Sequence, residues 1–137
     1  MNLEEWKGNK TDKVPVKVSR EEVRQFCRVI GEKSDLYTSV QSARLLGYED
    51  ILLPPTYPIL FWQKLEIPWI PKDATVVQSE QSFFYDKSLV ANQTYECQLE
   101  LVEVKRFRGS YFAKHRLSVF LKGKCLARSE TMLVISL

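Results

Sequence analysis

The sequence is poor in histidine. His115 is the only one among 137 residues. It falls inside a strand-like run, Tyr111 to Leu121, without the neighbours that a metal ligand or a base needs, and reads as an ordinary strand side chain. No Ser-His-Asp arrangement finds support on it. Cysteine is also scarce. Cys27, Cys97 and Cys125 are odd in number and far apart. No pair has metal-ligand or redox spacing, so no metal and no redox cofactor are expected. Each lies in an apolar pattern, which points to buried free thiols in a reducing compartment. The five glycines are isolated, so there is no glycine-rich phosphate loop. Long hydrophobic runs are missing too. Nothing is long enough to span a bilayer, and the N-terminus has no apolar signal region. The expectation is a cytoplasmic protein with no membrane partner. Net charge is only +3, and the basic residues are scattered, whereas a nucleic-acid binder usually carries a dense basic face. Lys105-Arg106-Phe107-Arg108 is the one basic cluster. It reads as a solvated hairpin turn. The alternative is a contact for an acidic carrier or a cofactor phosphate.

What is present is an ordinary globular composition, 45% hydrophobic and 27% charged. Length and composition predict a single domain over residues 1–137, with a real core. The first 12 or so residues look loosely ordered, with Trp6 the one large apolar anchor there. The run from Thr56 to Ile67 reads as one helix. Thr56 is a candidate N-cap and Pro58 lies in the first turn, where a missing N–H costs nothing. Pro68 ends it. Tyr57, Ile59, Leu60, Phe61, Trp62 and Leu65 leave a polar edge of Gln63, Lys64 and Glu66 only. Such a helix is normally surrounded by protein.

Around this helix the chain divides into two patterns. Val14 to Val18 alternates like a short strand, with Pro15 suiting an edge. Ser19 and Glu22 form a capping-box pattern. Val23, Phe26, Cys27 and Ile30 then mark one apolar stripe, and Gly31 suits the left-handed close. A short helix is predicted from Ser39 to Leu46, stopped by Gly47. After Pro71 the period becomes two. Strands are predicted broadly over Val76 to Tyr85, Asn92 to Val104, Ser110 to Leu121 and Lys124 to Leu137. Alternation slips at Leu101-Val102, the mark of a β-bulge. Gly109 marks one turn and Lys122-Gly123 a tight hairpin. The class is α+β, an antiparallel sheet wrapped around a central helix.

This order of parts resembles the hot-dog fold, and within it the MaoC-like dehydratases. The closest resemblance is to the N-terminal, fatty-synthase-like dehydratase type. The residues that carry it are Phe26-Cys-Arg-Val-Ile-Gly-Glu32, Tyr37, Ala43, Gly47-Tyr48 and Leu53-Pro-Pro-Thr-Tyr57. Active members carry Gly-Asp-x-Asn-Pro-x-His-x-Asp after the first helix. The Asp and His act on water across an enoyl thioester, and a backbone N–H at the start of the central helix polarises the carbonyl. By this resemblance Glu32 stands at the Asp position, Tyr37 at the His position and Ser39 at the second Asp. The donor position falls at about Pro55, which has no N–H. A tyrosine, with a pKa near ~10, is no neutral-pH base. Asp35 beside the motif reads as solvated or as a cap of the second helix.

The resemblance therefore implies a domain with a degenerate catalytic motif. Hot-dog domains pair through their sheets, with a thioester tunnel between them, and one half often lacks the Asp and His. The leading expectation is a non-catalytic, substrate-binding subunit of a (3R)-hydroxyacyl-CoA or -ACP dehydratase, paired with a catalytic MaoC-like subunit. Tyr57, Phe61 and Trp62 are the candidate substrate-binding residues, with plain core packing as their other reading. A stand-alone homodimeric hydratase or thioesterase using Glu32 is an alternative, although Glu66 is badly placed for such a role. An acyl-CoA-binding module without turnover is another.

Overall fold

The computed structural model describes residues 2–137. Five strands form one antiparallel sheet: β1 (Val14–Lys17), β2 (Thr75–Tyr85), β3 (Thr94–Phe107), β4 (Ser110–Leu121) and β5 (Lys124–Ser136). Their order across the sheet is β1-β3-β4-β5-β2. The hairpin strands β3, β4 and β5 make the middle, and β1 and β2 the edges. Pro15 therefore sits on an edge strand, paired with Glu96 on one side, as a residue lacking an N–H requires.

Inward-facing residues follow the period of two. Tyr95, Cys97, Leu99 and Leu101 of β3, and Tyr111, Ala113, His115, Leu117 and Val119 of β4, are all buried. The predicted slip in β3 is a register shift between Leu101 and Glu103. It places Val102 as the extra residue of a bulge. The β3–β4 turn holds Arg108 and Gly109 at φ 50° and 81°, and the β4–β5 turn holds Lys122 and Gly123 at 49° and 81°. Paired positive φ values give the tight hairpin turn whose twist matches the flanking strands. The Lys105–Arg108 cluster is exposed at the first of these turns, the solvated arrangement expected of it.

Helix α1 (Arg20–Ile30) carries the full capping box: Ser19 Oγ accepts from Glu22 N–H, and Glu22 reaches back to the Ser19 N–H. Gly31 closes it in the left-handed region. Val23 and Cys27 are buried and Phe26 packs partly against the core, but Ile30 is 49% exposed. The stripe therefore ends one turn earlier than its spacing suggests, with Val29 and Ile30 both exposed. Helix α2 (Val40–Leu45) is one residue shorter at each end than predicted, with Ser39 as its cap.

The central helix is where sequence and structure differ most. It is a 3-10 helix over Tyr57–Lys64, not an α-helix to Ile67, and Thr56 makes no side-chain cap bond. Pro54, Pro55 and Pro58 remove three N–H groups in five residues, which leaves short i+3 bonds such as Ile59 N–H to Thr56 C=O as the available pattern. Leu65 is already extended. Tyr57, Pro58 and Phe61 are buried, so the segment still lies inside the curl of the sheet, and the architecture is the hot-dog fold. The N-terminal segment also differs from expectation. Leu3–Trp6 is a 3-10 turn with Leu3 fully buried. Gly8 and Thr11 donate N–H bonds to Leu101 and Leu99, so the segment is stitched along β3 rather than loose. No helix among the described residues is long and apolar enough to cross a membrane.

Candidate functional site

Glu32, Tyr37 and Ser39, the positions singled out by the resemblance, sit between the end of α1 and the start of the central helix. Asp50 fixes this region. It is buried and accepts from Arg20 Nε at 3.0 Å and Nη2 at 2.8 Å, while Ile51 N–H bonds its Oδ1 at 2.8 Å. The Arg20 guanidinium holds the Asp50 carboxyl below its ordinary pKa. This fork ties the first turn of α1 to the loop entering the central helix.

The motif positions are engaged in local structure. Glu32 is exposed and its Oε1 accepts the N–H groups of Lys33 and Ser34 at 3.0 and 3.1 Å. Ser39 Oγ caps α2 through Ser42 N–H at 3.2 Å. Tyr37 ends a short 3-10 turn, Asp35–Tyr37, and packs partly against the core. Burial, then Glu32, then Cys27 push its phenol pKa up, away from any role as a base at neutral pH. Asp35 does not cap α2; its carbonyl accepts the Thr38 and Ser39 N–H groups.

Tyr85, at the end of β2, was not singled out by sequence. Its hydroxyl donates to the Pro55 carbonyl. Burial first and Tyr37 second raise its pKa strongly, so the two phenols lie within electrostatic reach of each other. At the start of the central helix the backbone thus presents a carbonyl clamped by a phenol, and Pro55 has no N–H to offer. Glu32 and Cys27 thus act on the Tyr37 phenol, Tyr37 acts on Tyr85, and Tyr85 holds the Pro55 carbonyl.

The three aromatic candidates part company. Tyr57 and Phe61 are buried, edge-on to each other at 5.9 Å, and Tyr57 is also edge-on to Phe26 at 4.9 Å. Both pack as core. Trp62 is half-buried and lines a cleft of about 280 Å³ with Ile59, Ile70, Val76, Gln78, Thr131 and Leu133. Its ring lies 5.3 Å from that of His115. His115 is fully buried. Its Nε2 accepts from the Trp69 indole N–H at 2.9 Å, and Nδ1, which then carries the proton, bonds the Ala113 carbonyl at 3.0 Å. Burial lowers its pKa to about 4, which keeps it neutral. It is a satisfied core histidine. Trp69, itself fully buried, gave no sequence signal beyond its size, since the pairing spans 46 residues. The three cysteines are free, and burial pushes Cys97 up to about 11. Among the described residues no group of His, Cys, Asp and Glu converges on a metal position.

Against this geometry stand three comparisons. A family model described as "FAS1-like, dehydratase domain region" matches residues 5–113. A curated relative, a UPF0336 protein of Thermobifida fusca, is 28% identical over 128 residues, covering 88% of this chain and 84% of its own. Among solved structures, the C-terminally truncated HadBC (3R-hydroxyacyl-ACP dehydratase) complex of Mycobacterium tuberculosis is similar at TM-score 0.78 and 19% identity, covering 94% of this chain and 96% of that one. A MaoC-like dehydratase is similar at TM-score 0.82 and 22% identity, covering 98% of this chain but 43% of that one. At these identities the solved structures bear on the fold alone.

Proposed function

We propose, from the premise that the chain belongs to the family of FAS1-like dehydratase domain regions, that it is the non-catalytic, substrate-holding subunit of a (3R)-hydroxyacyl-thioester dehydratase. A second, MaoC-like subunit with an intact Asp/His motif supplies the chemistry. The thioester is carried on CoA or on acyl carrier protein. The observation that carries this reading is the state of the motif region: Glu32 and Ser39 bond backbone N–H groups, Tyr37 is a phenol with a raised pKa, and Pro55 offers a carbonyl rather than a donor. Hydration of an enoyl thioester needs a base that is free and deprotonated near neutrality and a donor aimed at the carbonyl. Tyr37 and Ser39 supply no such base, Glu32 is tied to its own turn through Oε1, and Pro55 supplies no donor.

The β2 edge supports the need for a partner. From Thr75 to Glu80 every residue of this outer strand is exposed, including Val76 and Val77. A long, partly apolar edge of this kind is a template for pairing with another sheet, and the curl of the sheet leaves the cleft by Trp62 beside it. Joined sheets would close that cleft into a tunnel.

Co-expression with a MaoC-like protein from the same cell tests the reading. The expected result is a heteromer that hydrates an enoyl-CoA while the chain alone does not. A stable homodimer that pairs with no such protein would sink it. Rapid hydration by the unpartnered chain would do the same and favour the stand-alone enzyme instead.

A further inference from the structure

The outer face of the sheet is mixed in charge over its middle. Glu103 is paired with Lys114 across β3 and β4, and Lys114 and Arg116 both bond Glu130. The β3–β4 hairpin end is different. Residues 104–112 include Lys105, Arg106 and Arg108 and no carboxylate. Two phenyl rings share this end. Phe107 is 57% exposed and Phe112 36%, edge-on to each other at 6.3 Å. The Arg108 guanidinium stands 5.1 Å from the centre of the Phe107 ring, and that of Arg106 stands 5.7 Å from the Tyr111 ring. Behind the tip Phe112 is paired with Val134, and Val134 with Val77, which extends the apolar ground across the outer face. A solvated turn has use for the cations but not for the rings, since phenyl groups left in water cost free energy.

The hairpin end also stands clear. β1 pairs with β3 no further than Cys97, and the N-terminal segment bonds along it no further than Leu101. Beyond that, among the described residues, β3 is paired with β4 alone. β5 separates the hairpin from the β2 edge, so a partner sheet joined at that edge leaves the tip free. The register sets Ser110, Ser136 and Thr75 in one row, while Tyr85 ends β2 at its far side, about 30 Å away. The tip is therefore no part of the region around Tyr37 and Pro55. A convex turn with rings at its apex suits a yielding surface, whereas a rigid protein would have to supply a socket for it. In a bilayer such rings sink to the boundary of headgroups and acyl chains, and guanidinium groups at the same height reach the lipid phosphates.

We infer that this hairpin end, residues 105–112, is a peripheral membrane contact. Phe107 and Phe112 enter the surface of an anionic bilayer, and Lys105, Arg106 and Arg108 pair with its headgroup phosphates. Such a contact lies on the membrane and needs no spanning segment.

The test is sedimentation of the full chain with vesicles of phosphatidylcholine alone and of phosphatidylcholine with about one third phosphatidylglycerol. Binding is expected to the anionic vesicles only, and to weaken as salt shortens the Debye length from about 10 Å at 0.1 M to about 3 Å at 1 M. Arg106→Gln combined with Arg108→Gln is expected to weaken binding about 25-fold, about fivefold for each charge. Lys17→Gln combined with Lys87→Gln removes the same charge from exposed positions at the other end of the sheet and is expected to change affinity less than about twofold. Phe107→Ser is expected to cost about tenfold and to leave the salt dependence intact, while Phe107→Leu, which stays apolar, keeps most of the affinity. These side chains are exposed, so circular dichroism should match wild type throughout. Absence of binding to anionic vesicles overturns the inference. So does equal binding to neutral ones, or an equal loss in the two charge-removing pairs. If Phe107→Ser binds as wild type does, the inference is also overturned, and competition by polyglutamate in that case points to an acidic protein instead. None of these outcomes touches the dehydratase reading, which stands on the motif region and the β2 edge.

Discussion

At the scale of single residues, His115 is the clearest case of chemistry set by surroundings. Its folded pKa of about 4 lies below the ordinary value of 6.5. Between these values the unfolded chain binds a proton that the folded chain refuses. Stability from this group is therefore complete above about pH 6.5 and is lost as pH falls toward 4, by about 3 kcal/mol at the limit. The carboxylates with lowered pKa, Asp50 and Glu130, weaken the fold only at lower pH. With a single histidine in the sequence, the window belongs to His115. Urea melts at pH 7 and pH 5 check this: the difference between them should vanish in His115→Gln, whatever that variant's absolute stability. Glu32 is the opposite kind of residue, exposed and bonded to its own turn. Glu32→Gln, which keeps an acceptor, is expected to leave the hydratase activity of the proposed heteromer unchanged within a factor of about two and stability within about 0.5 kcal/mol. A large loss of turnover would return Glu32 to a catalytic role.

At the scale of elements, local rules were readable in the sequence and distant pairings were not. Ser19 and Glu22 announce the start of α1 because both partners of the capping box lie within one turn. Ser19→Ala is expected to cost about 1 kcal/mol in chemical denaturation. The bulge after Leu101 and the turns at Gly109 and Gly123 were legible for the same reason, as a slip in alternation or a glycine at a positive φ. The central helix was legible as an element but not as a 3-10 helix. Its apolar face satisfies either period over eight residues, and the proline content that decides between them acts through several N–H groups at once. The order of the Leu3–Thr11 segment is not legible locally because it comes from β3, some ninety positions away in the chain. Of the site, the motif positions could be aligned, but Tyr85 could not be found, since its partner Pro55 is thirty residues distant. Tyr85→Phe keeps the ring and removes that bond. The expected loss is about 1 kcal/mol, seen as a lower denaturation midpoint with an unchanged slope.

At the scale of the whole molecule, the sheet is asymmetric. The β1 edge is short and flanked by the N-terminal segment, which bonds along β3. The β2 edge is long and open, with Val77 56% exposed. On the proposed reading this is where the partner sheet joins. A charge placed there defends an edge against pairing. Val77→Lys is expected to leave the chain folded, with unchanged circular dichroism, and to weaken association with the catalytic subunit at least about tenfold. Sedimentation of the two chains at several concentrations reads this directly, and full-strength association by the variant would move the interface elsewhere.

The clamp of Tyr85 on the Pro55 carbonyl also bears on what a single substitution could achieve. A Tyr37→His variant would introduce an imidazole, yet it would still face a proline with no hydrogen to lend and a neighbouring phenol already committed to that peptide. On the proposed reading, independent turnover would take at least two coordinated replacements, and such a chain works only beside the companion that performs the step.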